Sequence, residues 1–498
     1  MRRIVAASTA VLLLALTPAT SGAEPGEPRA EVVESPALAT AERVLSGAAR
    51  RTDPSPTLAL RDLRLVLARL APEEKTRSRT LLARPTDPGS DGQFSGYTVP
   101  SRRWCSDVVC VHWVSSTRDQ PPNRSWVERA LDVMTATYRR TTSRMGYRRP
   151  LADGRRGGNE KFDFYLKDLG SQGIYGYCAP EREKKQYRYS SYCVVDNDFA
   201  SAQYGGTPLG NLKVTVGHEF FHAVQYAYDA AEDRWLMESS ATWMEERLAD
   251  GVDDNRQYLR YGQLGRPQVP LDLFEPYGYA HYGNWLFLEY LSQKYGVTAV
   301  REIWKRAAVD GTHDRHSTGA IDSYLRTHRS SMPGMYAWFS MANSFPRRTY
   351  REGAAYKATA PNLRHTLSSG ARTMSTQKFT LDHLTSARVA LHPDSTLSAT
   401  DWRVRLRIDA PDAKHRPQVL VSTLGTGGRL VTERVKLDRS GVGQTVLRFD
   451  ARSVRTVLVT LANGQIASRC WTGTYFACQG TPRSNNRVFT VSARAFRA

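Results

Sequence analysis

An α+β domain followed by an all-β domain is the fold class predicted for this chain of 498 residues. Two observations carry it. Over residues 96–350, strand-like runs come first and stretches of helical periodicity follow. After Pro361 the apolar pattern switches to period two, with turn residues between the runs at fairly regular intervals.

Taken in chain order, Met1-Arg2-Arg3, the apolar stretch 4–16 and Ser21-Gly22-Ala23 have the order of a secretory leader. Residues 1–23 are therefore expected to be removed. The stretch is too short to span a bilayer, and no later segment approaches a spanning length. A secreted, monomeric protein is expected. Residues 24–95 read as a pro-region-like helical segment and linker. Within it, 24–56 is rich in Pro, Ala and Glu and is expected to be a flexible leader. Leu58, Leu60, Leu63 and Leu70, with Pro72 opening a second helix, predict a small helical hairpin before a Gly/Asp/Pro/Ser linker at 86–96. A hairpin of that size is not stable alone. It is either a pro-region or an arm packed on the next domain.

The domain at 96–350 opens with a strand at 108–114 and a helix at 126–145, with Val127, Leu131, Met134 and Tyr138 on one face. A strand at 162–166 follows. Short strands are expected at 175–177 and 192–195, then helices at 211–228, 234–248, 282–295 and 297–308. Over 365–498, runs such as Val389-Ala390-Leu391, Val404-Arg405-Leu406, Val435-Lys436-Leu437 and Val457-Leu458-Val459 alternate as the strands of a β-sandwich do. That region is expected to be an accessory domain for substrate or surface binding.

Six Cys fall in three close pairs: Cys105 and Cys110, Cys178 and Cys193, Cys470 and Cys478. Three local disulfides are the simplest arrangement, and other connectivities stay open. No C-x-x-C spacing occurs, which speaks against a Cys-ligated metal. The formal charge is +20, mostly from Arg. An anionic cell-surface polymer is one partner that this charge would suit. Specific nucleic-acid binding is not expected, because the Arg residues are scattered and form no stripe with interleaved aromatics.

His218-Glu219-Phe220-Phe221-His222 is the motif that carries chemistry. On a helix, positions i and i+4 share a face, so both imidazoles can reach one Zn²⁺ ion. Glu219 sits one step round the helix, placed to take a proton from an attacking water without ligating the ion. A catalytic zinc needs a third protein ligand. Gln225 and Tyr228 stand where H-E-x-x-H-x-x-G-x-x-H requires Gly and His, which excludes that arrangement. Glu238 lies among Trp235, Leu236, Met237, Ala241 and Trp243, and a carboxylate there needs a partner. Glu245 and Glu246 are expected on a more polar, solvated turn, with a role in bracing the metal ligands left open.

Trp235-Leu236-Met237-Glu238-Ser239-Ser240-Ala241 resembles the W-L-x-E-G-x-A segment that supplies the third ligand in aminopeptidase-type gluzincins. The chain also resembles a group of exported bacterial metalloprotease-like proteins with a C-terminal β-rich domain, which share the H-E-F-F-H-A-V-Q and A-T-W-M-E wording. The resemblance is specific over 211–248 and looser over 96–350. It implies a zincin-like catalytic domain with one catalytic Zn²⁺, ligands His218, His222 and Glu238, Glu219 as general base, and a protein or peptide substrate. It departs from the pattern at Ser239, which replaces Gly, and at Thr242, where thermolysin-like enzymes have an Asp. By the same resemblance, Tyr279, His281 and Tyr282 are candidates for steadying the oxyanion, against a plainer role as aromatics packing at a helix start. Residues 194–198 are a candidate edge strand for substrate.

The function expected is a secreted zinc endopeptidase. An aminopeptidase would need an acidic pair for the substrate's free amine, and no such segment is visible. The alternative from another class is a degenerate zincin acting as a cell-surface or wall-binding protein. An intact Glu219 speaks against it.

Overall fold

The structure, a computed structural model, describes residues 34–49, 55–90, 96–275, 278–309 and 316–498. The expected leader at 1–23 lies outside them. Three helices come first: α1 (Pro36–Leu45), α2 (Pro56–Val66) and α3 (Pro72–Leu81). Each has Pro in its first turn, where an amide hydrogen has no helical partner to miss. The flexible leader expected over 24–56 is thereby corrected for its described part. Leu38, Ala41, Val44 and Leu45 bury one face of α1. The composition misled because Ala and Glu are also strong helix formers.

A five-stranded sheet follows, built from β1 (Ser101–Cys105), β2 (Val109–Val114), β3 (Phe162–Lys167), β4 (Gly176–Lys185) and β5 (Arg188–Asp196) in the order β1-β2-β3-β5-β4. The central strands β2, β3 and β5 are parallel, and β1 and β4 are antiparallel edges. Helix α4 (Arg124–Arg139), capped by the Asn123 side chain, makes the crossover from β2 to β3. One face of the sheet packs on α1–α3, with Tyr165, Tyr177, Tyr192 and Val194 against Leu38, Leu60 and Leu63. Val109, Val111, Phe164 and Val195 join the larger core that includes α4. A sheet covered on both faces reads as near-continuous apolar runs, as 108–114 does. The N-terminal hairpin packs as a layer on this sheet, as both a pro-region in the uncleaved chain and a packed arm would. The short strands expected at 175–177 and 192–195 are the start and end of a longer hairpin. Cys178 and Cys193 stand opposite each other in it and are bonded, as are Cys105–Cys110 and Cys470–Cys478.

The helical part continues with α5 (Ser201–Tyr204), α6 (Pro208–Tyr226), α7 (Arg234–Leu248), α8 (Ala280–Gly283), α9 (Trp285–Tyr295), α10 (Thr298–Ala307), α11 (Ser317–Thr327), α12 (Met332–Ala342) and α13 (Pro346–Thr349). The single helix expected at 282–295 is two, divided at Asn284. Its side chain leaves the helical pattern to accept from the Gln263 amide and donate to the Leu271 carbonyl.

The C-terminal region is β-rich. Its strands are β6 (Leu363–Leu367), β7 (Thr373–Leu381), β8 (Thr385–Pro393), β9 (Trp402–Asp409), β10 (Pro417–Gly425), β11 (Leu430–Arg434), β12 (Val442–Arg448), β13 (Val454–Asn463), β14 (Ser468–Arg469), β15 (Thr481–Pro482) and β16 (Arg487–Arg497). Two sheets, β11-β10-β13-β8-β6 and β12-β9-β16-β7, share one apolar core that includes Val389, Leu406, Val421, Val459 and Val491. The strand expected at 435–437 is absent. Between β11 and β12 the chain passes from one sheet to the other, so Val435 contributes its buried side chain from a crossing segment. Among the described residues no helix is long and apolar enough to cross a membrane.

Candidate active site

Helix α6 starts where the Thr207 hydroxyl accepts the Gly210 amide hydrogen and Pro208 takes the first turn. The H-E-x-x-H motif occupies its second half. The His218 and His222 rings lie 4.9 Å apart by centroids, as the i, i+4 spacing requires. Phe220 and Phe221 are fully buried and anchor the helix edge-on against Phe162 and Tyr147. Helix α7 brings Glu238 to the pair. Its Oε2 is 3.2 Å from His218 Nε2 and 3.7 Å from His222 Nε2. One ligand atom from each of His218, His222 and Glu238 falls within 4.8 Å of the other two.

The remaining ring nitrogens are held from outside. Ser240 Oγ donates to the Leu236 carbonyl at 2.6 Å, so it accepts from Gln225 Nε2 at 3.1 Å. Gln225 Nε2 also donates to the Met237 carbonyl at 2.9 Å. Gln225 Oε1 is therefore the acceptor that faces His222 Nδ1 at 2.7 Å. With Nδ1 donating outward to Gln225, His222 turns Nε2 inward. That nitrogen is buried and has no hydrogen-bond partner. An orphaned buried nitrogen beside a carboxylate oxygen is a donor set that a cation would satisfy. His218 Nδ1 meets Glu245 Oε1 at 2.7 Å. Burial lowers the His218 pKa, but the Glu238 and Glu245 carboxylates raise it by more, so this position strongly favours positive charge. Two imidazole nitrogens and one carboxylate oxygen, each imidazole braced through its other nitrogen, fit a Zn²⁺ ion.

Glu245 and Glu246 are corrected from a solvated turn to buried positions. Burial pushes the Glu245 carboxyl up to about 7. The missed signal is spacing: Glu245 is seven residues after Glu238 and hence on the same face of α7. Thr242, where an acidic partner was absent by resemblance, is buried with its hydroxyl unpartnered; Glu245 braces the histidine instead. Ser239 donates to the His281 carbonyl at 2.6 Å, which ties α7 to α8.

His218 and Glu219 face a cavity of about 450 Å³ that is also lined by Tyr175, Tyr258, Phe274, Tyr279, His281 and Tyr282. All three oxyanion candidates therefore reach the same space, with different surroundings. The Tyr282 ring is 6.1 Å from His218, and burial holds its phenol well above the usual range, so it stays a hydrogen-bond donor. His281 stacks on Phe274 at 4.3 Å, and burial pushes its pKa down to about 4. Tyr279 is half exposed. The edge strand expected at 194–198 is corrected: 194–196 belong to β5, an interior strand, and the edge is β4. That edge is covered at Cys178, whose amide donates to Thr57 Oγ1 at 2.9 Å. Sequence reasoning also missed Thr57 and Ser55. Their hydroxyls donate to Glu219 Oε2 at 2.7 Å and Glu238 Oε1 at 2.6 Å. Their place in a segment separated from the motif by about 160 residues left no sequence signal.

No family model matches the chain, and no curated protein matches it. Among solved structures, it is similar at 11% identity to PliG of Aeromonas hydrophila, a periplasmic lysozyme inhibitor of g-type lysozyme, over 28% of this chain and 100% of that one, with a TM-score of 0.15. It is similar at 8% identity to BtGH115A, a family GH115 4-O-methyl-α-glucuronidase, over 72% of this chain and 54% of that one, again with a TM-score of 0.15. At these scores neither likeness bears on fold or function.

Proposed function

We propose that this protein is a secreted zinc-dependent endopeptidase of the gluzincin type, with a zincin-like catalytic domain and a β-sandwich accessory domain. The observation that carries the reading is the convergence of His218 Nε2, His222 Nε2 and Glu238 Oε2, with both outer ring nitrogens pinned by Glu245 and Gln225. Three disulfides fit export to an oxidising compartment. When bound, Zn²⁺ supplies an electrophile that polarises the scissile carbonyl and makes water acidic enough to attack at neutral pH.

The chain's own residues do the rest. His218, His222 and Glu238 would hold the ion. Glu219 has Oε2 engaged by Thr57, which leaves Oε1 to take the proton of the attacking water and return it to the leaving amine. The protonated Tyr282 phenol faces the same cavity and is the group best suited to donate to the developing oxyanion. The aromatic wall at Tyr258, Tyr279 and Phe274 would seat an apolar side chain of the peptide.

The test is metal dependence. The full chain, stripped by chelator and reloaded by titration, should take up one Zn²⁺ and cleave an unfolded protein only when loaded. Retention of cleavage in the stripped chain would contradict the reading. Zinc bound at this site without cleavage of any unfolded substrate would favour the degenerate, binding-protein alternative.

A further inference from the structure

We propose that the first turn of α2 belongs to the catalytic centre, with Ser55 and Thr57 as positioning residues for the metal-binding and proton-accepting carboxylates. The inference rests on the zinc-peptidase reading and extends it to a segment that the sequence sets apart from the catalytic domain.

The direction of each hydrogen bond is fixed by chemistry. A backbone amide can only donate, so Thr57 Oγ1 accepts from Cys178 N at 2.9 Å, and its single proton goes to Glu219 Oε2 at 2.7 Å. Ser55 caps α2 by accepting from Leu58 N at 3.3 Å, and its proton goes to Glu238 Oε1 at 2.6 Å. The two carboxylates are thus treated alike. Each has one oxygen held by a hydroxyl from α2. The second oxygen of Glu238 faces both imidazoles, and that of Glu219 is left for water. An unheld carboxylate rotates about its last torsion, which is broad and two-fold. A held one presents one oxygen in one direction, which is what a ligand and a base require.

The turn that carries these hydroxyls is itself immobilised. Thr57 is 1% exposed, and Leu58, Leu60 and Leu63 behind it are fully buried. Arg61, one turn further on, donates to the carbonyls of Ala230 and Glu232 at 3.1 and 2.9 Å, in the connection between α6 and α7. Helix α2 therefore bridges the edge strand β4 and the α6–α7 pair. This turn is built into the sheet, the motif helix and the ligand helix together.

The experiment uses the full chain and four variants: Thr57→Val, which keeps the shape and removes the hydroxyl, Thr57→Ser, Ser55→Ala and Ser55→Thr. The readouts are kcat and KM on an unfolded protein substrate, and the Zn²⁺ dissociation constant by competition with a chromophoric chelator. Thr57→Val should lose roughly 10- to 100-fold in kcat with KM and zinc affinity unchanged, since a misplaced catalytic group costs on that scale. Thr57→Ser should restore it. Ser55→Ala should weaken zinc binding by roughly 10- to 100-fold, the usual effect of removing a group that orients a ligand. Ser55→Thr should restore that. Wild-type kcat in Thr57→Val together with wild-type zinc affinity in Ser55→Ala would overturn the proposal. So would a gain of activity in either, which would make the turn an inhibitory plug. A wild-type chain that neither binds zinc nor cleaves would bring down the peptidase reading and this proposal with it. A wild-type chain that does both while the variants match it would bring down this proposal alone.

Discussion

Arg84 anchors the N-terminal layer to the sheet, and replacing it should loosen that layer. The guanidinium is fully buried and makes four hydrogen bonds to three carboxylates: Nε and Nη2 to Glu181 at 2.6 and 2.7 Å, Nη1 to Asp163 at 2.6 Å, and Nη2 to Asp153 at 2.6 Å. Asp163 also bonds His112 Nε2 at 2.7 Å. Arg84→Met fills much of the volume but takes the guanidinium from buried Asp153 and Asp163 and leaves Glu181 with only Arg156, at 3.2 Å. Removing one partner of a buried ion pair costs about 3–5 kcal/mol, because the charge left behind is uncompensated. Arg84→Lys retains the charge but cannot fork to both Glu181 oxygens, and should cost about 1–3 kcal/mol. Urea unfolding of the oxidised chain, followed by tryptophan fluorescence, measures both, and native-state proteolysis within 34–90 reports on the layer itself. An Arg84→Met variant within about 0.5 kcal/mol of wild type, the range of surface substitutions, would show that the buried carboxylates do not depend on Arg84.

Three further predictions concern the site and the C-terminal region. Glu245→Gln, which weakens the brace on His218 Nδ1, should raise the zinc dissociation constant about 10- to 100-fold, read by chelator competition; an unchanged constant would show that the brace is idle. Gly176→Ala places a Cβ 2.9 Å from Thr215 Cγ2, 3.0 Å from the Val194 carbonyl and 3.1 Å from Glu219 Cγ, so cleavage should fall while the β-rich region unfolds as before; full activity would mean that the motif helix, with Thr215 and Glu219, has room to spare. Burial lowers the His383 pKa, but Asp272 at 2.7 Å, the Asn485 side chain and Asp382 raise it by more, and the net shift is upward. A folded pKa above the unfolded one means that the contribution is complete below about pH 6.5 and is lost as the pH rises through the folded value. The stability difference between wild type and His383→Gln should therefore shrink as the pH is raised above neutrality, and a constant difference would contradict the pairing.

The parts legible in sequence were those with local signals. The motif helix showed itself by i, i+4 spacing, and Glu238 by being a carboxylate in an apolar run. The β-rich region showed itself by alternation that the inward positions of β8, β9, β10 and β13 obey. Helix α12 was not legible, because Met-Pro-Gly-Met-Tyr-Ala-Trp-Phe-Ser-Met-Ala is apolar all round and has no period to detect. Glu245 was misplaced because a charged pair near Arg247 and Asp250 looks solvated in one dimension, while α7 is buried on nearly every side. Ser55 and Thr57 could not be found, since a hydrogen bond closed over 183 or 162 residues leaves no trace in local pattern.

In the proposed mechanism, Glu219 accepts a proton beside a zinc ion held by His218, His222 and Glu238. Cleavage of an unfolded protein by the zinc-loaded full chain, measured beside zinc-loaded Glu219→Gln, tests it most directly. Equal zinc content is expected, with a loss of at least about 100-fold in the variant, the scale of general-base catalysis. Equal cleavage by both chains at equal zinc content would contradict it.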